Sequence, residues 1–145
     1  MVKEQRHSIH QNLQFLRQRR MNMKILIILG AINAFLAVAL GAFGAHGLEG
    51  KLEPKYINIW EKAVKYQMFH ATGLFIIALL LGKYPASALL TWSGWLMFIG
   101  IILFAGSLYI LAVTQISVLG AITPLGGIAF LAAWLLLVIA AVKIM

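Results

Sequence analysis

Apolar residues in this chain come in long unbroken runs rather than in alternation: Ile25–Ala45, Phe69–Leu81, Ala88–Val113 and Val118–Val142. A helix crossing the hydrocarbon core of a bilayer needs roughly 20 apolar residues at about 1.5 Å rise each. Three of the runs meet that length directly. The short one, Phe69–Leu81, meets it if Tyr56–Met68 belongs to the same helix. That preceding half is amphipathic, with Glu61 and Lys65 at the favourable i,i+4 spacing. The pattern predicts an all-α polytopic membrane protein with four transmembrane helices in an up-down bundle. The second helix begins as an interfacial amphipathic segment, with Tyr56 and Trp60 at headgroup depth.

Local punctuation sets the expected boundaries. Pro54 suits the first turn of the second helix, because its missing N–H does no harm there. Gly82 reads as the residue just past that helix, and Pro85 forbids its continuation. Ser87 is placed to cap the third helix. For the last boundary, Thr123 as cap with Pro124 next favours a helix starting at Pro124, leaving Ile116–Ile122 as an apolar, non-helical segment packed against protein. The apolar run itself favours an earlier start, at Val118.

Gly30, Ala34, Ala37, Gly41 and Ala45 recur three and four residues apart along the first helix. Such a stripe admits a neighbouring backbone closely, which replaces the hydrophobic drive that lipid cannot supply. Asn33 lies near that face and is expected to bond across to a neighbour. The helix-packing set is therefore Gly30, Asn33, Ala34 and Gly41.

Composition narrows the chemistry. The chain is 62% hydrophobic and 11% charged, outside the soluble-globular norm. With no cysteine, thiolate catalysis, iron–sulfur clusters and zinc–thiolate sites are excluded. The net charge of +8 suggests nucleic acid at first sight, but Lys3, Arg6, Arg17, Arg19, Arg20 and Lys24 gather just ahead of the first span. The positive-inside rule and anionic headgroups place them there, and no nucleic-acid partner is expected. Residues 1–22 form a basic arm, with Ile9, Leu13 and Leu16 on one side of an amphipathic helix suited to a membrane surface. An upstream-start extension reads equally well, since Met21 and Met23 each precede an apolar run. Residues 23–145 make up the transmembrane domain. Lysine and arginine positions give N-in, C-in, an orientation that rests mainly on the arm.

The polar residues inside the runs gather at one depth if the helices alternate direction. His46, Tyr66, Gln67, His70, Ser107, Tyr109 and Thr123 are the ligand-pocket candidates, placed in the outer half of the membrane. Polar groups in a low-dielectric slab are costly, so their co-location needs a cause. They can satisfy one another and lock helix register without a ligand. They can instead recognise a lipid headgroup or another anionic amphiphile, aided by the N-terminus of the fourth helix. A haem or quinone between two histidines, or a small oligomeric transporter or channel subunit, are further alternatives. No aspartate occurs anywhere and the glutamates lie outside the apolar runs, which argues against proton-coupled cation export. No Ser–His–acid set, carboxylate pair or H-E-x-x-H motif suggests an enzyme, a metal or a cofactor.

Four segments are distinctive: Gly41-Ala42-Phe43-Gly44-Ala45-His46-Gly47-Leu48, Tyr66-Gln67-Met68-Phe69-His70, Gly106-Ser107-Leu108-Tyr109 and Ile122-Thr123-Pro124-Leu125-Gly126-Gly127. Together, in order, they resemble the YgdD/YwdK family of small bacterial inner-membrane proteins, a domain of unknown function with a mitochondrial membrane relative. The resemblance covers roughly Met23 to Met145. It implies a four-helix membrane protein and supplies no activity, substrate or catalytic residue. The expectation is a non-enzymatic structural or accessory protein of the bacterial inner membrane. It would work as a homo-oligomer or within a larger complex, with a lipid as the candidate ligand of its polar pocket.

Overall fold

The computed structural model describes residues 2–144; in the N-terminal arm, side chains are described for residues 6, 7, 10, 13, 14, 17 and 18, and from 20 onward. Ile9 and Leu16 of the expected amphipathic face lie outside that set. Five α-helices make the fold: α1 Val2–Phe43, α2 Pro54–Lys83, α3 Ala88–Ile101, α4 Ser107–Thr114 and α5 Thr123–Ile144. Single π turns extend α1 through Gly44–Leu48 and join α3 to α4 through Ile102–Gly106. The result is four membrane-spanning helices, Arg20–Leu48, Pro54–Lys83, Ala88–Thr114 and Ser117–Ile144. Among the described residues no strand occurs.

The arm is not a separate surface helix. No glycine or proline interrupts residues 2–29, so nothing breaks the backbone ladder before the first span. One end of the bundle therefore carries the N-terminal arm, the end of α5 and the α2–α3 turn, and is called the terminal end below. The far end carries the α1–α2 loop and the α4–α5 link.

Helix α1 packs mainly on α2, and α5 mainly on α3. Contacts fix both registers. Along α1 and α2, the site of a Cβ on Gly44 faces the Trp60 ring, that on Gly41 faces Val64, that on Gly30 faces Phe75, and Met23 reaches Gly82. Along the third and fourth spans, Ser93 bonds Ala133, Gly100 faces Phe130, Gly126 faces Phe104 and Ser107 meets Thr123. Both pairs are antiparallel. The buried stripe of α1 runs Leu26, Gly30, Asn33, Ala37, Gly44 and Leu48; Gly41 and Ala34 are half-buried and Ala45 is exposed. The expected small-residue stripe is thus offset by about one residue, because its centre is Asn33 rather than Ala34.

Three expected boundaries need correction. Gly82 lies inside α2, which ends at Lys83; Tyr84 caps it, donating its N–H to the Leu80 carbonyl at 2.7 Å. Residues 117–121 form a 3-10 turn, and none of them is buried: Val118 is 75% exposed. Those apolar side chains are exposed or half-buried at the far end rather than packed against protein. Thr123 is the first residue of α5 and spends its hydroxyl on Ser107; the Ile122 carbonyl accepts the opening amides of Leu125 and Gly126. Ser87 does cap α3, its Oγ accepting from the Leu90 N–H at 3.2 Å.

Gly126 is required by close approach. A Cβ there would stand 2.5 Å from the backbone nitrogen of Phe104, in the π turn. The start of α5 can lie against that turn only because it offers no side chain.

Candidate functional site

The amide of Gln67, on the buried face of α2, is held between two partners. Its Nε2 donates to Asn33 Oδ1 at 3.1 Å, and its Oε1 accepts from the Tyr109 hydroxyl at 2.7 Å. Asn33 passes the direction on, donating Nδ2 to the Leu29 carbonyl at 2.8 Å. The relay runs one way, from Tyr109 through Gln67 and Asn33 to the α1 backbone. It ties the first, second and third spans with every hydrogen-bonding atom of both amide groups engaged in a sensible role. A buried polar group left unpaired costs about 1–3 kcal/mol. Completion of the chain is why two amides are tolerated here.

Trp60 stacks onto the end of this relay. It was expected at headgroup depth, yet it is 5% exposed. Its ring meets Tyr109 edge-on at 4.6 Å, and its Nε1 donates to the Leu40 carbonyl at 2.8 Å. The cause lies in the π turn of α1. There Gly44 comes under the indole, and a Cβ would meet Trp60 at 2.6 Å. The seat exists because the residue is glycine.

His70 belongs to a different group. Its ring lies flat on Phe130, centroids 3.4 Å apart and planes 9° apart. Phe69 approaches edge-on at 5.2 Å, and Tyr66 stacks at 5.8 Å on one side and on Phe104 at 4.3 Å on the other. His70 Nδ1 donates to the Tyr66 carbonyl at 2.7 Å, one helical turn back. The imidazole is therefore packed as an aromatic side chain within an aromatic stack. Ser107 and Thr123 form a third group, their hydroxyls 2.9 Å apart, with Ser107 also bonding the Phe104 carbonyl at 3.0 Å.

The seven candidates thus do not share one chamber. Gln67 and Tyr109 join Asn33; His70 and Tyr66 join Phe104 and Phe130; Ser107 joins Thr123. His46 is exposed in the π turn of α1 and takes part in none of the hydrogen bonds or ring contacts of the described residues. A π turn presents its residues off the α-helical register, so helical spacing misplaced this histidine. The depth is also corrected for the relay. Asn33 stands nine residues from Lys24, about 13 Å along α1. That puts it near the middle of the span rather than under a headgroup layer.

Sequence reasoning missed Phe130 and Ser93, and the packing of Trp60 on Tyr109. Ser93 is fully buried and donates Oγ to the Ala133 carbonyl at 2.7 Å, clamping α3 to α5. A lone serine in an apolar span was its only signal. Among the described residues no cluster of three or more histidine, cysteine, aspartate or glutamate side chains is placed to hold a metal ion.

Comparison with known proteins places this architecture. Residues 40–127, holding most of the relay and the aromatic stack, match the family described as "Protein of unknown function (DUF423)". The chain belongs to this family. It is 64% identical over 121 residues to the UPF0382 membrane protein YwdK of Bacillus subtilis, covering 83% of this chain and 98% of that one. UPF0382 membrane proteins of Staphylococcus epidermidis and Staphylococcus haemolyticus are 60% and 57% identical over the same shares. No solved structure matches. The DUF423 match and these relatives make the chain a membrane protein of a family whose role is unknown, and the resemblance drawn from its four motifs holds.

Proposed function

We propose that this protein is a non-enzymatic structural or accessory component of the bacterial inner membrane, oriented N-in and C-in. In this reading it acts as a homo-oligomer or as the companion of a larger membrane complex. One observation carries the reading: the buried polar atoms of Tyr109, Gln67 and Asn33 are spent on one another and on the α1 backbone. Groups committed in this way set helix register and rigidity, and present nothing to a substrate. Orientation is supported by the lysine and arginine tally, eight at the terminal end against four at the far end. The close-packing glycines of α1 are occupied within the chain, so a partner would meet larger side chains such as Phe35 and Leu79, both more than two-thirds exposed. Purified protein in liposomes tests this against transport. Background ion flux at every protein density is expected, and flux rising with protein density would overturn it.

A second reading keeps an amphiphile in the outer half, moved from the histidines to a crevice of about 130 Å³ between α1 and α2. Gly41, Ala45, Trp60 and Val64 form its apolar walls, with Glu61 and Lys65 at its edge. It admits part of an acyl chain. Ala45→Leu fills it, and co-purifying lipid that persists unchanged in this variant would remove the reading.

A further inference from the structure

The two ends of the bundle differ sharply in charge. The far end carries Lys51, Lys55, Lys62 and Lys65 against Glu49, Glu53 and Glu61, a balance near neutrality. The terminal end carries Lys3, Arg6, Arg17, Arg19, Arg20, Lys24, Lys83 and Lys143 against Glu4 alone. Glu4 precedes Arg17 on the same unbroken helix by thirteen positions, about 20 Å of rise. Among the described residues no ion pair joins Arg17, Arg20 or Lys24 to a carboxylate.

Those cations line a cleft. Where α1 leaves the bundle beside the α2–α3 turn, a space of about 780 Å³ opens. Arg17, Arg20 and Lys24 border it from α1; Leu81, Gly82 and Pro85 close the other side. Spacings of three and four put the three cations on one helical face. All three are exposed, and Met23, packed against Gly82, fixes the arm to the end of α2. Three like charges on one face repel, and an anion between them relieves that cost. The apolar side of the cleft rules on the kind of anion. Leu13 is exposed and Met23 and Pro85 are half-buried, so the apolar wall reaches the outer surface beside the start of the first span, with Leu81 buried behind it.

We propose that this cleft binds the headgroup of an anionic phospholipid. The phosphate sits among Arg17, Arg20 and Lys24, and the acyl chains descend past Met23. A freely soluble phosphate would gain the charges but leave the apolar wall wet. The site is independent of the mid-span relay, and it stands or falls without the accessory role proposed above.

Native mass spectrometry of the full chain in detergent, titrated with phosphatidylglycerol or phosphatidylcholine, tests it. Each basic residue near a membrane surface favours an anionic lipid by about fivefold. The wild type should therefore take up phosphatidylglycerol on the order of a hundredfold more readily than phosphatidylcholine if all three contribute. The single variants Arg17→Gln, Arg20→Gln and Lys24→Gln should each lower that preference by about fivefold, and the triple variant should abolish it. A far-end control, Lys51→Gln with Lys55→Gln, should leave it intact. Circular dichroism verifies that helix content is unchanged. If the triple variant fails to fold, the single variants decide. Equal uptake of both lipids by wild type, a preference retained in all the variants, or an equal loss in the far-end control would each overturn the site. Displacement of phosphatidylglycerol by millimolar inorganic phosphate would overturn the lipid as its occupant.

Discussion

Gln67 and Asn33, 34 residues apart in the chain, meet at 3.1 Å between Nε2 and Oδ1 in the buried interior. Neither amide could be left alone in hydrocarbon, and each supplies what the other lacks. Gln67→Leu keeps the volume roughly and removes both bonds at once, stranding the Tyr109 hydroxyl and Asn33 Oδ1. A loss of about 1–3 kcal/mol in detergent unfolding is expected. Gln67→Glu should cost more, because an ionised carboxylate cannot donate to Asn33 and is paired with no cation.

Two glycines of the third and fourth spans should respond oppositely to the same change. Gly126→Ala places a methyl against the Phe104 backbone, which cannot move aside as a side chain would. About 1–3 kcal/mol of destabilisation is expected, as for other overpacked cores. Gly106→Ala meets nothing within 4 Å and should be neutral or slightly stabilising. Thermal melts of the two variants in one detergent give the comparison directly.

The seat of Trp60 gives a third expectation. Trp60→Phe keeps an aromatic ring beside Tyr109 but loses the bond to the Leu40 carbonyl, at about 0.5–1.5 kcal/mol. Gly44→Ala expels the indole itself and should cost more than Trp60→Phe. A red-shifted tryptophan emission in Gly44→Ala, absent from the wild type, would report the ring leaving its seat.

His70 distinguishes packing from chemistry. If its ring serves the stack on Phe130, His70→Phe should stay within about 1 kcal/mol of wild type. His70→Ala should lose about 2–4 kcal/mol through the cavity it leaves. Equal losses in the two variants, read by chemical denaturation, would show that the imidazole nitrogens matter more than the ring.

Much of the fold is legible in the sequence, for physical reasons. Span number and order follow from apolar length, because backbone groups in lipid have only the helix to satisfy them. The Ser87 cap and the bridging role of Asn33 follow from local chemistry, since each had a nearby orphan group to satisfy. The site was less legible. α5 is apolar on every side, so nothing but its small residues Gly126, Ala129 and Ala133 marked which face turns inward toward His70. The two π turns shift register by a fraction of a turn, and helical counting cannot see them. The π turn of α1 sets Gly44 against the Trp60 indole and leaves His46 exposed. Gln67 and Tyr109 stood among the pocket candidates, but their bond to each other and the tie to Asn33 depend on side-chain reach across helices that spacing alone does not give.

A double-mutant cycle on Gln67→Leu and Asn33→Leu tests the central claim, that the buried amides form a structural tie between helices. Unfolding free energies measured in a single bilayer-mimetic system should show coupling of about 0.5–1.7 kcal/mol, the range seen for interhelical hydrogen bonds in membranes. Coupling indistinguishable from zero, with both single variants as stable as wild type, would contradict it.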